Sequence, residues 1–451
     1  MEFHLASNSL LKEIFHSITT TEILLPTFAS LFFIFCFQGR PSVKAPFAGY
    51  RSWFEPTFLV RLRFLTNAKG ILTRGYEQYK NGMFYIRRID GDTLVISNKY
   101  LEELRLLPNT ILSNVHAQYQ NILGHYTYAS VVINSNLHTR ALQSHLTPRT
   151  SFYTLRSKAE LDQTFYDSLP QEKGWVEVDV QAVMRRFVAR MTGAVFLGSR
   201  TSRNEEWLNL SIQYPLDTFQ TAFSLRMFPQ FTHPVLARLM PSRYRLQRHR
   251  RKATKIVTAL MNEHRARAEA GEKSEETILD WMVDNATGAE ATPAEMTSRQ
   301  LILTLASIHT TALALSHALY DLCAHPEVVE PLREEIKEVT SRFEGDDFVT
   351  RGLPCLEKLD SFLVESQRFH PPVLMSPQRV AMKNITLHDG TFIPAGTRVA
   401  CASGAILMDP AVTPNPEVFD PFRSYRKRQE PGEKHHHQWV QTDKENLANS
   451  S

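Results

Sequence analysis

Twenty consecutive residues without a formal charge, Leu301 to Tyr320, constrain the fold more than any other stretch of this chain. The run matches the roughly 20 residues needed to cross a bilayer, so a membrane span has to be weighed first. Thr304, Ser307, His309, Thr310, Thr311, Ser316 and His317 make it too polar to face lipid. A long helix through the middle of a large soluble body fits the pattern better. Thr304, Ser307 and Thr311, spaced by three and four, then share one stripe of that helix. The chain can supply such a body: it has 451 residues, 43% of them hydrophobic and 22% charged. No repeat is visible, and the reading is one large body.

Lys and Arg number 51 against 47 Asp and Glu, a formal charge of +4. That small balance argues against a nucleic-acid-binding class or an acidic tail. No G-x-G-x-x-G or G-x-x-x-x-G-K-[ST] pattern occurs, so neither dinucleotide-binding nor P-loop chemistry is signalled. Cys36, Cys323, Cys355 and Cys401 stand far apart, which opposes a disulfide scaffold or a zinc ribbon and suits a reducing compartment. His435-His436-His437 is read as an adventitious binder at most, so no metal site is expected.

Near the start, Ile23 to Phe37 is uncharged and strongly apolar. Arg40, Lys44 and Arg51 follow it, and no small-x-small cleavage site does. The reading is an anchor over residues 1–40 with its span at about 21–38, the body remaining in the cytosol. A cleaved signal and a buried helix are the rivals. Residues 41–56, with Pro41 and Pro46, read as a stiff connector, and 57–451 as the main domain.

In the body, helical patterning covers about 58–80, 155–168, 181–197, 205–225, 245–270, 327–339 and 355–369. Two strand-like runs, Phe84 to Ile89 and Thr93 to Ser97, flank Asp90-Gly91-Asp92 and predict a hairpin. The basic stretch Arg243 to Lys255 reads as a solvated helix face. After about residue 373 short strands and turns replace helices. The fold class is mainly α with small β-sheets.

Glu365 and Arg368, three apart on an apolar helix, predict a buried ion pair that needs a further partner, for which Arg423 is the candidate. Taken alone, E-x-x-R carries almost no information. Its neighbours in order are Ala306-Ser307-Ile308-His309-Thr310-Thr311, then Glu365-Ser366-Gln367-Arg368, and then His370-Pro371-Pro372. Asp389 to Thr397 (D-G-T-F-I-P-A-G-T), Met408-Asp409-Pro410 and Pro416 to Arg423 (P-E-V-F-D-P-F-R) complete the series. This series resembles the cytochrome P-450 superfamily of heme-thiolate monooxygenases over essentially the whole chain. The I-H-T-T core and R-F-H-P-P segment are similar to filamentous-fungal members that oxidise terpenoid secondary metabolites, including gibberellin-type and indole-diterpene pathways.

The resemblance implies a P-450-like fold behind an endoplasmic-reticulum anchor, heme b, a small hydrophobic substrate, and electrons from NADPH through a membrane reductase. It implies that Thr310, with Thr311 beside it, hydrogen-bonds dioxygen and helps deliver protons. His309 stands where most of the superfamily has an acid; it reads equally as a proton relay and as a satisfied core histidine. Glu365, Arg368 and Arg423 match a structural triad. Arg379 matches a position that pairs with a heme propionate, and His138 and Arg140 lie near another, although Thr139 and Gln143 occupy the usual Trp and Arg positions. The axial thiolate sits in F-x-x-G-x-x-x-C after the region of Arg423, and no such motif precedes Ser451. The expectation is a sequence cut short before that segment, by a frameshift, a misassigned last exon or an early stop. A polypeptide of these residues is then expected to bind heme poorly. The alternative is an inactive remnant, at most an anchored binder of hydrophobic ligands or of a redox partner.

Overall fold

The computed structural model describes residues 43–442 and Leu447. The expected anchor and its Cys36 lie outside the described residues.

Several of the helices begin where a side chain accepts from an unpaired backbone N–H group. The chain opens with α1 (Thr57–Gln78) and continues through β1 (Met83–Arg88), β2 (Gly91–Ile96), β3 (Leu112–Ser113) and α2 (Asn114–Asn121). Then come α3 (Thr150–Ser168), α4 (Val180–Leu197), α5 (Glu205–Arg226) and α6 (Pro241–Glu269). The central helix α7 (Pro293–Ala324) and α8 (Glu357–Phe369) precede β4 (Gln378–Ala381), β5 (Ile385–Thr386), β6 (Phe392–Ile393) and β7 (Arg398–Cys401). Asp179 caps α4 through Ala182 N at 3.0 Å, and Asn204 caps α5 through Trp207 N at 2.9 Å.

The predicted hairpin forms, with Met83 opposite Ile96 and Arg88 opposite Gly91. A five-stranded sheet follows in the order β1-β2-β7-β4-β3, with β2 and β7 parallel and the other neighbours antiparallel. Its core packs Ile86, Leu94, Val95 and Ala400 against Ile71 and Leu72 of α1, and Leu447 joins it. The proline-containing segment joins the same sheet edge: Tyr85 N donates to Pro46 O at 2.7 Å and Ala48 N to Tyr85 O at 2.8 Å. A second core lies among the helices, around Trp207, Tyr214, Leu246, Met261 and Met296.

α7 starts at Pro293, eight residues before the uncharged run, because Thr292 accepts from Glu295 N and proline suits the first helical turn. Nine consecutive residues, Met296 to Thr304, are buried all round. Among them Arg299 is fully enclosed, paired with Glu295 at 3.1 Å and donating to Ser135 Oγ at 2.6 Å. Among the described residues α7 is the helix long and apolar enough to cross a membrane, and its packing on α4, α5, α6 and α8 makes it a core helix.

The basic stretch departs from a merely solvated face. Arg245 and His249 both pair with Asp217 of α5, Lys252 pairs with Glu206, and Arg243 and Arg250 lie over the Tyr128 ring. Leu246, Ala253 and Val257 between them are buried, so these charges flank a packing seam.

Candidate active site

Half-way along α7 the enclosure stops. Ala306 and Thr310, one turn apart, are both exposed, whereas Ile308 and Ala312 are buried against α4 and α5. The Thr310 hydroxyl donates to Ala306 O at 2.7 Å, as Thr304 does to Leu301 O and Ser307 to Leu303 O. Each threonine or serine thus satisfies itself on its own helix, and only Thr310 does so at an open surface. Thr311 is half-buried. His309 turns away: its Nε2 donates to Ile212 O of α5 at 2.9 Å, and burial holds its pKa below the usual histidine value. The half-buried ring thus directs its Nε2 proton to a backbone carbonyl of α5.

Arg379, on β4 opposite Val399 of β7, is largely buried and donates to Gln378 O at 3.0 Å. Burial pushes its pKa down. His138 is also largely buried and its Nδ1 has no hydrogen-bond partner. Burial, with Arg299 nearby, lowers its pKa to about 4. Arg140 instead reaches Glu290 at 3.5 Å, leaving its Nε unpartnered.

The His138 shift has a consequence for stability. A histidine neutral in the fold, and titrating near 6.5 when unfolded, takes up its proton in the unfolded chain first. Its contribution is therefore complete above pH 6.5 and declines as pH falls towards 4, by about 3 kcal/mol at most. Urea unfolding at pH 7 and pH 4.5 should show a loss that shrinks in His138→Gln; an identical loss in both proteins would contradict it.

The predicted triad is assembled. Arg368 Nε and Nη2 donate to the two Glu365 oxygens at 2.9 and 2.7 Å, and Arg423 Nε stands 3.5 Å from Glu365 Oε2. Asp420 N also donates to Glu365, while Arg368 Nη1 donates to Pro416 O at 2.6 Å. The triad ties α8 to the 416–423 loop. Sequence reasoning missed a neighbouring pair, His317 and His370, whose rings stack in parallel at 4.5 Å, with His370 Nε2 3.1 Å from Asp321 Oδ1. The available signal was spacing: His317 lies two turns beyond Thr310 on the same side of α7. Among the described residues no cluster of His, Cys, Asp and Glu could hold a metal ion.

The family model for cytochrome P-450 matches residues 127–440, and similar proteins extend the match over most of the chain. A cytochrome P-450 monooxygenase of Emericella nidulans is 43% identical over 412 residues, 90% of this chain and 76% of that protein. An ent-kaurene oxidase of Gibberella fujikuroi is 39% identical over 416 residues, covering 91% and 81%. The monooxygenase olcJ of Penicillium canescens is 38% identical over 411 residues, covering 90% and 77%. The chain belongs to the cytochrome P-450 family. It is thus a heme-dependent monooxygenase by family, of the fungal secondary-metabolism kind, and works with a redox partner.

Two groups of residues have the chemistry that a heme would need. A propionate-bearing edge would suit Arg379, a half-buried cation, and the Nδ1 of His138, which has no hydrogen-bond partner. A flat macrocycle suits the open Ala306–Thr310 stripe. The axial side differs. Cys323 and Cys355 are exposed on other surfaces, and Cys401 is buried in β7 with its thiol pushed up to about 12.

Proposed function

We propose that this cytochrome P-450 inserts oxygen into an apolar, terpenoid intermediate of fungal secondary metabolism. The observation that carries the reading is the uncovered Ala306–Thr310 stripe on a core helix whose preceding nine residues are all buried. The name ent-kaurene oxidase, borne by a 39%-identical relative, supports a diterpene-like substrate. Heme b, when bound, supplies the activation of dioxygen, and NADPH supplies electrons through a reductase. Thr310 presents a hydroxyl, now donating to Ala306 O, that would be available to supply a proton over the heme when it is bound, with the half-buried Thr311 beside it. His309 shapes the helix through Ile212. Arg379 and His138 would hold the propionates, with Arg140, now paired with Glu290, adding its charge nearby. Segments 116–135, 205–232 and 373–376 shape the apolar pocket. The domain organisation is an endoplasmic-reticulum anchor at about 21–38 and a cytosolic monooxygenase domain that, in place of a free linker over 41–56, takes Val43 to Ala48 into the edge and core of its sheet.

A second reading, a binder of hydrophobic ligands or redox partners without turnover, is favoured by the burial of Cys401 in β7, which pushes its thiol up to about 12, and by the placement of Cys323 and Cys355 at exposed positions. One experiment decides between them. Microsomes carrying the protein and a fungal reductase are given a diterpene hydrocarbon and NADPH. The monooxygenase reading predicts NADPH-dependent products gaining oxygen from dioxygen; binding of the hydrocarbon with no product would favour the second.

A further inference from the structure

At the hairpin turn between β1 and β2, one carboxylate is shared by three arginines from three elements. Arg398 Nη1 of β7 donates to Asp90 Oδ2 at 2.7 Å. Arg88 Nε of β1 donates to Asp90 Oδ1 at 3.1 Å and its Nη2 to Oδ2 at 3.2 Å. Arg226, the last residue of α5, places Nε 3.4 Å from the same Oδ2; that nitrogen is buried and makes no hydrogen bond. The remaining partners are neutral. Arg398 Nε donates to Gln120 Oε1, Arg226 Nη2 to Gln120 O, and Arg88 Nη2 to Asn121 Oδ1. All four charged side chains are less than one-fifth exposed. Three guanidiniums against one carboxylate leave an excess of two positive charges in a poorly solvated place. Burial is costly for charges left without counter-charge.

The cluster also terminates an apolar face. Leu216, Phe219 and Phe223 are each about half exposed on α5, and with Arg226 they are spaced by three, four and three, along one side of the helix. A molecule lying on this face would have its apolar body against the two phenylalanines and its end at the arginines. We propose that this face and the Arg88–Arg226–Arg398 cluster bind an apolar molecule carrying one carboxylate. The inference deepens the monooxygenase reading by naming a substrate or product class. It accounts for both the excess charge and the uncovered rings beside it, since a carboxylate forms strong paired hydrogen bonds with guanidinium groups.

Equilibrium dialysis of the full chain with dodecanoic acid and with methyl dodecanoate tests it without turnover. The two probes share a body and differ in charge. The acid is expected to bind at least about tenfold more tightly, in line with hydrogen bonds to charged groups. Arg226→Gln and Arg398→Gln should each reduce that advantage and leave ester binding unchanged. Added salt should shrink the advantage in the unsubstituted chain, a readout that needs no variant. Equal affinity for acid and ester would overturn the inference while leaving an apolar site in place. An advantage that survives both substitutions would overturn it too, by placing the acid elsewhere. If neither probe binds, the apolar-pocket reading falls with it. In the microsomal assay, an acid that is consumed identifies the carboxylate as the substrate's, and one that only inhibits identifies it as the product's.

Discussion

Glu365→Gln is expected to destabilise the fold by about 3–5 kcal/mol, enough to remove most of the stability of an ordinary domain. The substitution keeps the shape and one acceptor oxygen but removes the carboxylate charge that pairs with Arg368. Glu365 and Arg368 are 2% and 5% exposed, so neither can recover its lost partner from water. The amide would also present N–H donors to guanidinium donors or to Asp420 N, which now donates to Glu365 at 2.9 Å. Arg423 is a weaker member: it stands 3.5 Å from Glu365 and also caps Pro414 O and Val418 O. Arg423→Met should accordingly cost less, about 1–2 kcal/mol. Urea unfolding followed by far-ultraviolet circular dichroism measures both. A Glu365→Gln protein within 1 kcal/mol of the parent would show that the triad is not a buried support.

Arg379→Met is expected to move stability and heme affinity in opposite directions. In the chain without heme, Arg379 is a largely buried cation whose hydrogen bond runs to the adjacent carbonyl of Gln378. Methionine matches its apolar stem and removes the desolvated charge, so the heme-free fold should gain about 1–2 kcal/mol. Binding of ferric heme should weaken about tenfold or more, through loss of a charge-assisted contact to a propionate. A site that sacrifices stability for a ligand produces this split, whereas a purely structural arginine would lower both. The measurements are urea unfolding without heme and a heme titration followed by absorbance. Loss of stability with unchanged heme affinity would remove Arg379 from the site.

Much of this architecture was legible because it depends on local pattern. The hairpin around Asp90-Gly91, the helix ending at Phe369 and the pairing of Glu365 with Arg368 are each set by residues within a few positions of one another. Arg423 was found because a buried pair requires a further partner and the P-F-R loop offered one. The early start of α7 was obscured by Glu295 and Arg299, charges that read as the end of an apolar run but pair with each other at one helical turn. The orientation of His309 was not legible, because its partner is a backbone carbonyl, and any residue could have supplied that. The arginine cluster was invisible for a related reason. Arg88, Arg226 and Arg398 are brought together by a parallel strand pairing and by the end of α5, across more than 300 residues of chain.

The central claim is that the open stripe of α7 is the surface against which heme lies, and Ala306→Trp tests it most directly. Ala306 is exposed, so the larger side chain displaces no core atom, and the helix should lose less than about 1 kcal/mol of stability. The indole would fill the space over the stripe. Heme titration of this variant is predicted to show affinity at least about tenfold below that of the parent, with an unchanged unfolding midpoint. Heme binding at parental affinity would place the cofactor elsewhere and contradict the account.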